Sequence, residues 1–108
     1  MKKTEQSEGP VSWSESTLAN DPPLRAVRAF EAIARLGSVT LAAQELAISP
    51  SAVSHQLKVL EGYLQIPLTA RQGRRLTLSQ QGREYYRSIR AAFNVLRQAT
   101  EHLVDQVQ

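Results

Sequence analysis

Only three residues, Ala47, Ile48 and Ser49, separate Leu46 from Pro50, and no other stretch constrains the fold as tightly. Proline is tolerated in the first turn of a helix and breaks its interior, while serine is a preferred N-cap. Ser49-Pro50 must therefore open a new helix. Just upstream, Ser38 is placed to cap a shorter helix whose apolar side is Val39, Ala42, Ala43 and Leu46. The small Ala42-Ala43 pair lets another helix cross close by. Two short helices joined by about three residues make a helix-turn-helix pattern, with Ile48 of the turn expected to tuck into the core.

The flanking segments complete a small domain. Asp21-Pro22-Pro23 reads as a cap followed by first-turn prolines, and Leu24, Val27, Phe30, Ile33 and Ala34 then form one apolar stripe that ends at Gly37. The third helix runs from Ser49-Pro50 to about Leu64. After Ile66-Pro67 the period changes to alternation, with Leu68 and Ala70 on one side of Arg71-Gln72-Gly73-Arg74-Arg75 and Leu76 and Leu78 on the other. This predicts a short β-hairpin turning at Gly73. From about Ser79 the helical period returns, and Tyr86, Ile89, Phe93, Leu96, Thr100, Leu103 and Val107 recur as a heptad seam. The predicted fold is mainly α, a winged helix-turn-helix of three helices plus a β-hairpin wing, followed by a long linker helix. Residues 1–20, Ser/Glu-rich with the isolated aromatic Trp13, are expected to be a flexible leader. Residues 21–78 are expected to form the winged domain and 79–108 the linker and dimerisation helix.

The third helix carries the chemistry. At about 100° per residue, Val53, Leu57, Leu60 and Leu64 share one face, which must pack inward. Ser51, Ser54, His55, Lys58 and Gly62 share the opposite face, which is small, polar and free of acid, with Glu61 off to the flank. A solvated helix usually mixes both charge signs there. A DNA major groove, about 12 Å wide, admits one helix and is read by donors and acceptors. Small hydroxyls allow close approach, His55 and Lys58 can donate to guanine or phosphate, and free amides from Ser51 onward favour a phosphate. Arg71, Arg74 and Arg75 bracket the hairpin turn, where arginine suits phosphate and narrow minor grooves.

Charge distribution points the same way. The net charge is +3, but residues 24–90 carry ten Lys/Arg against four Glu, whereas residues 1–23 sum to −2 and residues 91–108 to −1. The absence of cysteine suits a reducing cytosol and removes disulfides and thiolate metal sites. No apolar run approaches the roughly 20 residues of a membrane span, and Met1-Lys2-Lys3 is followed by no apolar signal region. An enzyme is disfavoured. Ser54 and His55, adjacent on a helix, point about 100° apart and cannot pair as nucleophile and base, and His55 and His102 lack ligand companions. A purely protein-binding winged helix is disfavoured by the arginine wing and the acid-free helix face. The heptad seam either closes on a second copy or packs on its own domain. Dimerisation is favoured because Tyr86 to Val107 extends past what a core of this size covers.

From Leu24 to about Tyr86 the sequence resembles the N-terminal domain of the LysR-type transcriptional regulators. The matching pieces are GS-x-T-x-AA-x-x-L beginning at Gly37, SAVSHQLKVLE beginning at Ser51, and R-x-G-R-R-L-x-L-(S/T)-x-x-G from Arg71 to Gly82. The SHQ triplet and the PPLRA lead-in are most similar to the subgroup of the glycine-cleavage activator and the β-lactamase regulators. The resemblance implies a bacterial, cytoplasmic, nucleoid-associated regulator that binds interrupted A/T-rich palindromes in double-stranded DNA. It implies a homodimer with antiparallel linker helices, a tetramer in the full-length regulator, and an effector domain that senses a small molecule. No such domain is in this sequence, so either an excised DNA-binding unit or a short regulator is expected, with no cofactor and no small-molecule ligand. By matching positions, Pro50, Ser51, Ser54 and His55 would face bases and Arg74 would enter the minor groove, while Ser38, Thr40, Lys58, Arg71 and Arg75 would mainly contact backbone. Pro50 stands where the family often has Gln. Thr69 and Ala70 replace a usual Phe and acid, which is expected to loosen the wing.

Overall fold

The computed structural model describes residues 21–73 and 75–107. Helices α1 (Leu24–Leu36), α2 (Val39–Leu46) and α3 (Pro50–Leu64) come first, then strands β1 (Thr69–Gln72) and β2 (Arg75–Leu78), then helix α4 (Gln80–Val107). This is the mainly α winged helix-turn-helix expected from the sequence, with its long final helix. The leader at residues 1–20, Arg74 and Gln108 lie outside the described residues.

Asp21 does not cap α1. The cap position is Pro23, in extended backbone at φ −63° and ψ 122°, with no side-chain cap. A residue before proline is held in the extended region, so neither Asp21 nor Pro22 can turn into the helix. The first helical hydrogen bond runs instead from the Val27 amide to the Pro23 carbonyl at 3.0 Å. The other two caps form as expected, because each depends on one local serine. Ser38 Oγ accepts the Leu41 amide at 3.1 Å and Ser49 Oγ accepts the Ala52 amide at 3.1 Å.

The turn between α2 and α3 corrects a second expectation. Ala47 adopts a left-handed conformation at φ 58°, its amide donates to the Gln44 carbonyl, and the Ile48 amide reaches back to the Ala43 carbonyl at 3.1 Å. This double closure ends α2 as a Schellman motif with alanine in the usual glycine place. It leaves Ile48 on the surface, 42% exposed, rather than in the core.

The core is built where α1 crosses α2 and α3. Phe30, Ile33, Val53, Leu60 and Leu68 are its largest fully buried side chains, and Ala26, Ala29, Ala32, Ala42 and Ala43 let the helices approach. The small alanine pair in α2 serves the crossing anticipated for it. At the far end of α1, Arg35 bridges Glu31 (2.8 Å) and Glu45, fastening α1 to α2. The guanidinium holds the Glu45 carboxyl below the usual carboxylate range.

Strands β1 and β2 pair antiparallel from Thr69 opposite Leu78 to Gln72 opposite Arg75, so Arg71 and Arg75 belong to the strands and only two residues form the turn. Gly73 opens it at φ 63°, as a two-residue hairpin loop requires.

Helix α4 divides the predicted seam. Tyr86, Ile89 and Phe93 are half-buried against the domain's own core, together with Tyr85, whose ring lies 5.8 Å from that of Phe30. Arg28 of α1 sits over the Phe93 ring at 4.8 Å. Beyond that point Leu96, Leu103 and Val107 are 58%, 61% and 78% exposed. The first half of the seam is therefore partly buried against the domain's own core, and the second half is exposed. No helix among the described residues is long and apolar enough to cross a membrane.

Candidate nucleic-acid interface

Helix α3 is anchored through one face and bare on the other. Val53 and Leu60 are fully buried, Leu57 nearly so, and Leu64 packs at the edge of the core. Ser51, His55 and Lys58 are exposed on the opposite side, Ser54 is half-buried at its edge, and Pro50 is exposed at the start of the helix, in line with Leu57 by helical period. Gly62 extends this face without adding bulk. The helical period thus places Ser51, His55, Lys58 and Gly62 as one strip along the outer surface of α3, with Ser54 at its edge.

The start of α3 offers less free backbone than its sequence suggested. Pro50 has no amide proton, the Ala52 amide is taken by Ser49 Oγ, and the Val53 amide is taken by the Ser49 carbonyl. Among the described residues, the Ser51 amide is the first-turn donor left without an acceptor in the chain. Its hydroxyl lies 3.1 Å from that of Ser49, so one amide and two hydroxyls cluster at the positive end of the helix dipole. Ser38 and Thr40 stand at the start of α2. Thr40 is exposed, whereas Ser38 is half-buried and already accepts the Leu41 amide, which leaves its hydroxyl proton for an outside acceptor.

The cations divide into occupied and unoccupied groups. Arg35 is held by two carboxylates, Arg83 donates to the Leu78 carbonyl and Arg97 donates to Asn94. Lys58, Arg71 and Arg75 form no ion pair among the described residues. Pairing of Arg71 with Leu76 puts Arg71 on the hairpin face shared with Leu76 and Leu78, which pack toward the helices. Arg75, opposite Gln72, projects from the other face. The two arginines therefore straddle the wing instead of forming one patch. Arg74, between Gly73 and Arg75, lies outside the described residues.

Two residues position this surface in roles that the sequence did not assign to them. Glu61, read as a flanking acid, turns its carboxylate to the root of the wing and accepts the Leu68 amide (2.7 Å), the Thr69 amide (3.2 Å) and the Thr69 hydroxyl (3.3 Å). Thr69, expected to loosen the wing, is thereby a point of attachment. Gly82 is buried in the first turn of α4, where a Cβ would lie 2.0 Å from the Leu68 carbonyl oxygen. A lone acid on an otherwise acid-poor helix, and a glycine just inside a helix where it is disfavoured, were the available signals.

Residues 24–83 match the family model described as bacterial regulatory helix-turn-helix protein, lysR family. The chain is 45% identical over 82 residues to the glycine cleavage system transcriptional activator of Escherichia coli (strain K12), a match covering 76% of this chain and 27% of that protein. The chain thus spans little more than a quarter of the length of such curated relatives. Among solved structures, it is similar to the DNA-binding domain of BenM in complex with catB site 1 DNA, with a TM-score of 0.73 and 27% identity over 80% of this chain and 97% of that one. It is also similar to a probable transcriptional regulator from Pseudomonas aeruginosa, with a TM-score of 0.69 and 36% identity over 75% of this chain and 27% of that one.

Proposed function

The chain belongs to the lysR family of bacterial regulatory helix-turn-helix proteins, and from that premise we propose that it is the DNA-reading unit of a dimeric transcriptional regulator. Helix α3 enters the major groove of double-stranded DNA and the wing lies over the neighbouring minor groove. The observation that carries this reading is the outer strip of α3, small, polar and acid-free on a helix whose inner face is buried. Similarity to a DNA-binding domain solved on its DNA supports it. In this arrangement Pro50, Ser51, Ser54 and His55 face base edges. Ser38, Thr40, Lys58, Arg71 and Arg75 neutralise or bond phosphates, and Arg74 reaches into the minor groove. The family is one of regulators, not enzymes. Its DNA partner places the chain in the bacterial cytoplasm at the nucleoid.

Residues 21–78 act as the winged unit and the helix from residue 79 onward as the linker that pairs two copies. The pairing surface is the exposed half of the seam, Leu96, Leu103 and Val107, and Tyr86, Ile89 and Phe93 support it from the domain side. Two copies related by a twofold axis read two half-sites, which makes an interrupted palindrome the matching target, and the family resemblance adds that it is A/T-rich. Tetramers belong to the full-length regulator. Converting both Leu96 and Leu103 to lysine is expected to give a monomer that binds a half-site weakly. These side chains are already exposed, so the domain stays folded. Analytical ultracentrifugation reads the outcome, and a dimer that persists contradicts the pairing surface.

Binding to a duplex site over a range of salt tests the function itself. Log affinity is expected to fall linearly with log salt, and Arg74→Ala to reduce that slope by about one unit because one cationic contact is lost. Arg71→Ala and Arg75→Ala act in the same direction if both sides of the wing meet phosphate. An unchanged slope in any of the three variants takes that arginine off the DNA, and salt-independent binding by the wild type contradicts the reading as a whole.

A further inference from the structure

An apolar groove of about 580 Å³ opens between the start of α1 and the turn that joins α2 to α3. Its apolar lining is Leu24, Leu46, Ile48 and Ala52, and Arg25, Arg28 and Gln56 complete it. Leu24 is 74% exposed and Ile48 is 42% exposed, so two large aliphatic side chains of one small domain face outward into the same depression. None of these residues belongs to the proposed DNA-facing strip or to the seam on α4. Isolated exposed aliphatics are ordinary, but an apolar concavity with two arginines in its lining fits an apolar segment that carries acids.

The chain itself contains such a segment. Residues 10–15 read Pro-Val-Ser-Trp-Ser-Glu, with the apolar Val11 and Trp13 at alternate positions and serines between and after them. Residues 1–20 carry Glu5, Glu8 and Glu15 against Lys2 and Lys3, a net charge of −1, opposite in sign to Arg25, which is in no ion pair among the described residues, and to Arg28, whose guanidinium lies over the Phe93 ring. The segment joins the described chain at Asp21, three residues before Leu24 at the groove edge. The seven residues between Trp13 and Asp21 reach at most about 25 Å, ample for a groove that begins at Leu24. We propose that the segment preceding α1 docks in this groove, with Val11 and Trp13 against Leu24 and Ile48 and its acids toward Arg25 and Arg28. Docking would cover aliphatic surface that the helix-turn-helix itself leaves uncovered.

Trp13 is the sole tryptophan, so its fluorescence reports the docking without a label. The experiment uses the full 108-residue chain and two variants, Ile48→Lys and Leu24→Lys. Both substitutions sit at exposed positions, and circular dichroism checks that the helices are retained. Wild-type emission is expected to lie blue of free tryptophan, to resist acrylamide quenching, and to stay constant on dilution through dimer dissociation. Each lysine variant is expected to shift the emission red and to lose the quenching protection. Water-like emission in the wild type overturns the proposal, as does a blue shift kept in both variants. A blue shift lost on dilution also overturns it, since a second copy would then be covering Trp13.

Discussion

Replacing Gly82 by alanine is expected to destabilise the domain by at least about 3 kcal/mol, the upper end of the usual cost of overpacking. The new Cβ would stand 2.0 Å from the Leu68 carbonyl oxygen and 2.9 Å from its carbon, and both belong to backbone that cannot rotate away. That carbonyl is also held in place, because it accepts the Ser79 amide at 3.0 Å. Ser79 Oγ in turn donates to the Pro67 carbonyl (2.8 Å) and accepts the Gly82 amide (3.0 Å). Wing root and helix start are thus tied across a crossing that only glycine permits. The sign makes the test sharp. By helix propensity alone, alanine would stabilise this helix by about 1 kcal/mol, so thermal unfolding of Gly82→Ala separates the two outcomes. A neutral or raised Tm contradicts the close crossing.

Removing the Glu61 carboxylate is expected to have the second largest effect. Glu61→Ala deletes an acceptor for two backbone amides, one of them on the buried Leu68, and hydrogen bonds to charged groups contribute about 1.5–3 kcal/mol each. Relaxation and partial access of water at Thr69 reduce the sum, and a net loss of about 2–3 kcal/mol is expected from the cost of an unsatisfied buried donor. In a domain of this size that lowers Tm by about 10 °C or more. Glu61→Gln, which keeps one acceptor oxygen, should recover part of the loss. DNA affinity should fall with Glu61→Ala even where the protein remains folded, since the wing loses its tie to α3. An alanine variant with the wild-type Tm would mean that the wing is held by Leu68, Leu76 and Leu78 alone.

Glu61 and Gly82 act over long sequence separations, whereas most of the fold rests on local signals. The helix-turn-helix was legible because its signals are local. Ser38 and Ser49 cap helices within three residues of themselves, Gly37 stops α1 by its own left-handed backbone, and the periodicity of Val53, Leu57 and Leu60 separates the buried face of α3 from the bare one. Asp21 has a cap's chemistry, but two successive prolines hold the residues before them extended. Ile48 misled because its hydrophobicity suggested burial, whereas the Schellman closure at Ala47 settles where that short turn points. The seam on α4 was found by its period, which cannot distinguish residues facing α1 from residues facing a second copy. Arg71 and Arg75 bracket the turn in sequence, and strand register is what puts them on opposite faces. Glu61 and Gly82 act across seven and fourteen residues of sequence through the backbone at Leu68, and no local pattern encodes such a contact.

The central claim is that the outer strip of α3 reads base edges. Selection of bound sites from random duplex DNA, run in parallel for the wild type and for His55→Ala at one stated salt concentration, tests it most directly. The wild type is predicted to enrich a palindrome whose half-sites lie on one face of the duplex. The variant is predicted to lose discrimination at defined positions within each half-site, by about 1–3 kcal/mol per lost contact. An unchanged sequence preference with a uniform drop in affinity would contradict the claim and leave His55 on the backbone.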